Sequence, residues 1–309
     1  MLFIRVRKTD FMKLLKTERT QCMAFWTVYI ALACGCQYFF GDFPSSFFAF
    51  PVNIAVMLLW LAVLWVLFKE KRDSAVSSVL LSFHTTVILL SAFLAACLVQ
   101  GFSSVKLTGT WWFTAIVFAL LSHLFMVIIR GSIRPRPFRA RFLLNHAGLF
   151  LALAGGLFGS PDTQRWRTIV KLAEPVTEAV DTDGNLIRMP YRLQLTGFCV
   201  DSYRDGRPGN YEVTLTADDG TDIVLKVNHP YCLSWKDDLY LAGIKDVTDS
   251  GYGPVAGSCI VEIVRQPWKY AQMAGILMLA AGAALLFIQG PAGRPRRRTD
   301  DAVQVMKEV

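Results

Sequence analysis

The sequence is poor in charged residues. Only 18% of its 309 residues are charged, whereas a soluble domain carries about 25%. Hydrophobic residues make up 53% of the chain, and its mean hydropathy is +0.39. This composition argues against a cytosolic enzyme, a disordered chain and a small disulfide scaffold. It predicts a membrane protein that carries one water-soluble domain.

Several catalytic and binding motifs are also missing. The seven cysteines contain no C-x-x-C pair, which excludes a thioredoxin-like motif and a zinc knuckle. Residues 251–257 are rich in glycine, but their spacing does not fit G-x-G-x-x-G and they include a proline. No nucleophile or acid–base constellation is visible, so we expect a non-catalytic chain.

Six apolar stretches are each close to the roughly 20 residues that a membrane span needs. The predicted spans are residues 22–40, 51–68, 75–99, 111–129, 142–158 and 270–288. A cleaved signal peptide is the competing interpretation of the first stretch. The long basic segment before it and the lack of a good A-x-A site after it disfavour that interpretation.

Positive charges lie on alternate sides of these spans. Lysine and arginine cluster in residues 5–19, 69–72, 130–141 and 294–298, whereas residues 41–50 have none and residues 100–110 have only Lys106. The positive-inside rule then puts both termini in the cytoplasm. It also accounts for the net charge of +8 without nucleic acid as a partner.

A long segment between the fifth and sixth spans has a different character. From residue 160 to residue 268, acidic turn clusters alternate with short runs of β-branched and aromatic residues. This pattern predicts a β-sandwich or partial barrel, which the span count places in the periplasm. Disulfides are permitted there, so two of Cys199, Cys232 and Cys259 are free to pair, or all three are small buried residues.

The predicted organisation has six parts. They are a basic cytoplasmic N-terminus (1–21), two additional spans (22–68), three spans (75–159), a periplasmic β-rich domain (160–268), a last span (270–288) and a cytoplasmic tail (289–309).

Three of the four histidines lie in predicted spans. An ionisable residue inside a membrane is costly, so each is a functional candidate, although a membrane histidine also serves simply to bond a neighbouring helix. His146 lies roughly 8 Å past Arg141, and His123 lies roughly 10 Å before Arg130. Both positions predict the cytoplasmic leaflet, and His84 is expected to lie deeper.

The surroundings of His146 favour a flat ligand. Arginines precede it, and a stripe of small residues follows it at Gly148, Gly155 and Gly159. Such a stripe allows close approach of a helix or a planar group. A neutral imidazole ligates haem iron, and guanidinium groups suit haem propionates. We therefore expect His146 to be a haem ligand, with Arg136, Arg139 and Arg141 near the propionates.

Three stretches resemble the ResB/CcsB family of system II cytochrome c biogenesis. Residues 142–159 contain Asn145-His146-Ala147-Gly148-Leu149, similar to the His-x-Gly-Leu helix of that family. Residues 191–243 contain a Gly206-Arg207-Pro208 turn, then Val227-Asn228-His229-Pro230 and Tyr240. Residues 265–268 form an Arg-Gln-Pro-Trp entry to the last span. The chain departs from the family in its two additional N-terminal spans and its short soluble domain.

The resemblance implies a membrane subunit of a cytochrome c haem lyase complex in the bacterial inner membrane. Such a subunit helps conduct haem b across the bilayer and presents apocytochrome c, with its Cys-x-x-Cys-His motif, for thioether attachment. Its partner is a CcsA-type protein with a tryptophan-rich motif ending in Trp-Asp. No such motif occurs here, so the partner is expected to be a separate chain. The resemblance favours His146 as axial ligand, with His123 and His229 in reserve.

Two other interpretations remain open from the sequence. One is a b-type cytochrome that carries electrons, in which two of His84, His123 and His146 hold haem within this chain. The other is a membrane-anchored scaffold or sensor whose β-rich domain binds a partner; its short cytoplasmic tail contains no output domain. The roles of Cys34 and Cys36 also stay open.

Overall fold

The computed structural model describes residues 8–72, 74–102, 107–133, 140–202, 208–249 and 254–289. These residues form two compact units. The helical unit contains residues 8–44, 54–157 and 271–289, and the β unit contains the described residues of 45–53 and 158–270. Several of the predicted features lie outside the described residues: Arg134, Arg136 and Arg139, much of the 251–257 stretch, and the cationic tail at residues 294–298.

Seven α-helices are described. They are α1 (Lys8–Phe40), α2 (Val52–Glu70), α3 (Ala75–Leu80), α4 (Phe83–Phe102), α5 (Trp111–Ile133), α6 (Ala140–Gly159) and α7 (Lys269–Gln289). All except α3 are long and apolar enough to cross a membrane. The predicted fold class, about six spanning helices with a β-rich domain, is confirmed.

The third predicted span is broken near its start. We expected one helix over residues 75–99, but α3 ends at Leu80 and α4 begins at Phe83. Hydroxyl side chains in this stretch bond to the backbone: Ser77 Oγ donates to the Lys71 carbonyl at 2.9 Å. Such bonds compete with the helical ladder. The spanning helix therefore starts at Phe83, which places His84 in its first turn. The prediction that His84 lies deepest is wrong.

The β unit contains one antiparallel sheet of eight strands, in the order β5-β4-β3-β2-β1-β8-β7-β6. The strands are β1 (Gln164–Lys171), β2 (Val176–Asp181), β3 (Leu186–Ser202), β4 (Pro208–Ala217), β5 (Asp222–Lys226), β6 (Tyr231–Cys232), β7 (Asp237–Asp249) and β8 (Pro254–Arg265). The first and last long strands pair directly, with Gln164 opposite Arg265.

One face of this sheet forms the core. Along β1, buried and exposed residues alternate, as expected for a strand with one face in water. The fully buried side chains include Val170, Leu193, Leu215, Leu239 and Val261. Burying one such side chain contributes about 1.5–3 kcal/mol. The alternation seen in the sequence therefore reflects the main stabilising interaction of this unit.

Candidate functional site

His123 is buried in the middle of α5, with only 4% of its surface exposed. Its Nδ1 lies 2.6 Å from the Leu80 carbonyl oxygen, and its Nε2 lies 3.0 Å from the Thr86 hydroxyl. A carbonyl oxygen only accepts, so Nδ1 carries the proton and Nε2 accepts from Thr86. Both ring nitrogens are thus used within the chain.

These bonds belong to a larger arrangement at the break between α3 and α4. The carbonyls of residues 79–81 lie at this break, and each accepts from a side chain. The Val79 carbonyl also accepts from the Ser82 backbone N–H at 3.1 Å. Thr85 Oγ1 donates to the first at 2.6 Å, His123 donates to the second, and Arg130 Nη1 donates to the third at 3.0 Å. His123 and Arg130 therefore close a helix break, because buried carbonyls need partners.

His146 has a different environment. It is half-buried on α6, and its Nδ1 donates to the Phe142 carbonyl at 2.9 Å. Among the described residues, Nε2 has no hydrogen-bond partner. The Phe142 ring lies 4.1 Å from the imidazole, centroid to centroid. The lone pair on Nε2 of His146 is therefore available to an external ligand.

The glycine stripe of α6 is filled by α7. A Cβ atom placed at Gly148 would lie 2.8 Å from the Gly275 carbonyl oxygen, and one at Gly155 would lie 2.8 Å from Gln272 Cγ. In the other direction, a Cβ at Gly275 would clash with the Ala152 backbone. The small residues thus let two helices touch. The expectation that they leave room for a porphyrin is wrong.

His146 lies on the other side of α6 from this stripe. His146 and Gly148 are two positions apart, a rotation of about 200° at 3.6 residues per turn. One turn further along, the Phe150 ring lies 5.9 Å from Phe125 of α5 and 6.3 Å from Trp60 of α2. The face that carries His146 is therefore aromatic. Contact of the arginines with propionates stays a prediction.

The remaining histidines lie at the edges of elements. His84 is half-buried, and its backbone N–H donates to Ser82 Oγ at 3.2 Å. His229 is exposed in the β unit, where it closes a turn with Lys226. That turn needs Asn228 in the left-handed region, at φ 63°, which asparagine tolerates.

No disulfide joins the cysteines of the described residues. Cys199 and Cys232 are exposed, and Cys259 is buried in the sheet core. Burial raises the pKa of the Cys259 thiol to about 12, since a thiolate is costly in an apolar environment. Cys259 is therefore an inert packing residue. The described residues also contain no group of side chains able to hold a metal ion.

A polar cluster around Asp162 was not foreseen. Its carboxylate accepts from the Phe50 backbone N–H at 2.7 Å, from Asn53 Nδ2 at 2.7 Å and from Trp268 Nε1 at 2.8 Å. Asn53 is 1% exposed and also donates to the Phe158 carbonyl. The one signal in the sequence was an asparagine at the start of an apolar span.

Comparison with known protein families bears on the segment that contains α6 and most of the sheet. Residues 138–254 match the model of the ResB-like family. This segment is similar to the ResB-like family over less than half of the chain. The match includes all of α6 and the strands up to β7, and it supports the predicted resemblance to that family. The match supports a role in cytochrome c biogenesis.

Other comparisons are more distant. No curated protein matches the chain. Among solved structures, the cytochrome c heme lyase CcmF is similar at 12% identity and a TM-score of 0.37. The alignment covers 75% of this chain and 44% of that one, so this chain spans less than half the length of that protein. At that score, the similarity adds nothing to the family match.

Proposed function

We propose that this chain is the ResB-type membrane subunit of a complex that attaches haem to cytochrome c. It helps conduct haem b across the inner membrane, and it presents apocytochrome c for thioether formation with a CcsA-type partner. The observation that carries the proposal is the family match over residues 138–254. The six apolar helices support a place in the bilayer.

In this proposal haem is the transported substrate, and His146 is the axial ligand that binds it transiently. Metal-binding histidines typically donate one ring N–H to a carbonyl, which fixes the tautomer and leaves the other nitrogen for the metal. His146 has this arrangement, because Nδ1 donates to Phe142. Its half-buried position leaves Nε2 accessible to the haem iron, and the partner supplies the second ligand of that iron.

The alternative of a self-contained b-type cytochrome needs two imidazoles from this chain. His123 is the natural second candidate, since it is close enough to His146 for electrostatic interaction. Ligation by His123 Nε2 would break its bond to Thr86 and disturb the closed helix break. This cost favours His146 as the single ligand here. His123 and His229 stay in reserve, the latter for an outer contact.

The proposed orientation has the β unit in the periplasm. Lys69, Lys71 and Arg72 lie at the C-terminal end of α2, whereas residues 41–50, before its N-terminal end, carry no cation. Positive charge marks the cytoplasmic side. His146 follows the basic segment at residues 130–141, so the proposal places the ligand in the leaflet that haem reaches first.

The test is haem content in the complex co-expressed with a CcsA-type partner. His146→Gly is expected to remove most co-purified haem, and added imidazole is expected to restore part of it by filling the vacated position. His84→Ala serves as the matched control and should keep its haem. The chain expressed without the partner should make no covalent cytochrome c.

The variant His123→Gly distinguishes a structural role of this histidine from haem ligation. Under our proposal it loosens the helix break and lowers thermal stability, and imidazole does not restore haem. If His146→Gly keeps full haem content while His123→Gly loses it and imidazole rescues it, the ligand assignment is wrong. A reversible six-coordinate haem in the chain alone would favour the electron carrier.

A further inference from the structure

A short turn between β6 and β7 exposes a large aromatic side chain. This β6–β7 turn consists of residues 233–236, and Trp235 within it is 60% exposed. The Lys236 ammonium lies 5.8 Å from the centre of the Trp235 ring. Burial in the sheet core does not account for this tryptophan, so the reason for its position must lie outside the unit.

The turn is held rigidly in place. Ser234 Oγ accepts from the Asp237 backbone N–H at 3.0 Å, and the Leu233 and Ser234 amides both donate to the Asp237 carbonyl. The Asp237 carboxylate is 5% exposed and binds Arg265 through two bonds of 2.7 and 3.0 Å. A side chain displayed on such a turn is preorganised for contact, because little freedom is left to lose on binding.

The turn is also tied to the beginning of α7. The Gln266 backbone N–H donates to the Lys236 carbonyl at 2.7 Å, and Lys269 Nζ lies 2.7 Å from the Asp238 carboxylate. Gln266 and Lys269 are three residues apart, a distance of at most about 11 Å. Trp235 is therefore presented within a few residues of the point where the helix starts.

The length of the helix locates that point in the bilayer. The apolar span Lys269–Ile288 has 20 residues, or about 30 Å at 1.5 Å per residue, which equals the hydrocarbon thickness. Lys269 then lies at the hydrocarbon boundary. The headgroup layer beyond it is about 5–7 Å deep, within reach of the Trp235 side chain.

We infer that the β6–β7 turn is a membrane-interface anchor, with Trp235 seated among lipid headgroups. Tryptophan prefers this layer, because its ring is apolar and its N–H is polar. Lys236 suits the same layer, since its stem is apolar and its ammonium meets lipid phosphates. Tyr270, 46% exposed at the start of α7, adds a second amphipathic ring. The anchor is independent of the haem function.

The test uses the unmodified chain in nanodiscs that contain a photoactivatable lipid with a diazirine near the headgroup. After irradiation and trypsin digestion, lipid adducts should concentrate on the peptide 227–236. The matched control is Val247 within the peptide 246–265, with the position of each adduct read by fragmentation of the peptide. Val247 is 49% exposed but lies on β7 ten residues beyond Asp237, or about 33 Å along the strand. The other end of that peptide, at Arg265, lies opposite Asp237 and is left out of the control.

Trp235→Ser should remove most of the lipid adducts from the first peptide and leave adducts on α7 unchanged. Equal labelling of the peptide 227–236 and of the control position at Val247 would overturn the inference. Crosslinking of a benzophenone amino acid at position 235 to a protein partner, and not to lipid, would also overturn the inference. Haem content enters none of these measurements, so their failure is distinct from failure of the proposed function.

Discussion

Replacing Asp162 by alanine should release the segment at residues 45–53 from the β unit. The carboxylate accepts three hydrogen bonds, from the Phe50 amide, Asn53 and Trp268. A hydrogen bond to a charged group contributes about 1.5–3 kcal/mol. Asp162 is only half-buried and the three bonds form one network, so the sum is an upper bound. We expect a loss of about 2–4 kcal/mol in local stability.

Amide hydrogen exchange at Phe50 measures this loss directly, because its N–H is one of the three donors. A loss of about 2–4 kcal/mol corresponds to exchange that is about 30- to 700-fold faster, at about 1.4 kcal/mol for each factor of ten. Asn53→Ala should have a similar but smaller effect. Asp183→Ala, in an exposed turn of the same unit, is the matched control.

Unchanged exchange at Phe50 in Asp162→Ala would refute the reasoning. That result would mean that the polar cluster does not hold the segment. Asp162→Asn sharpens the comparison, since it keeps the shape but puts an amide donor among groups that are themselves donors. It should weaken the cluster almost as much as alanine does.

Three further predictions follow from contacts in the two units. Gly275→Leu should overpack the α6–α7 contact, lowering stability by about 1–3 kcal/mol in thermal unfolding, whereas Gly156→Ala, where no atom lies within 4 Å, should be tolerated. At mildly alkaline pH a thiol reagent should modify Cys199 but not Cys259, whose pKa of about 12 keeps it protonated; equal rates would contradict its burial. Asp237→Ala should cost about 1.5–3 kcal/mol by leaving the partly exposed Arg265 guanidinium without its carboxylate partner, which denaturant unfolding would reveal.

The main elements were predictable because each rests on a local pattern. Apolar runs of span length and alternation along strands depend only on which residues must leave water. The glycines of α6 show the limit of such patterns. Their spacing indicated close approach, but helices and flat ligands need the same small residues. Only the position of Gly275 showed that a helix fills the space.

The features that the sequence did not predict depend on distant partners. The break after Leu80 lies in an apolar stretch, and the side chains that close it include His123 and Arg130, more than forty residues away. Asp162 likewise bonds to residues more than a hundred positions away. An asparagine at the start of one apolar span and a histidine within another were visible in the sequence. Neither residue alone identified the groups that it bonds to.

The pairing of β1 with β8 has a consequence for how the protein is made. Gln164 leaves α6 and Arg265 leads into α7, and these residues stand opposite each other, about 5 Å apart across a ladder. The pair of β1 with β8 forms only after β8, the last strand, has been synthesised. Until then β1 has an unpaired edge, which invites aggregation. Because the first and last residues of the sheet stand side by side, the β unit both leaves and rejoins the chain at one place. We therefore expect that the β unit can be inserted as a whole between the two helices of another helical hairpin.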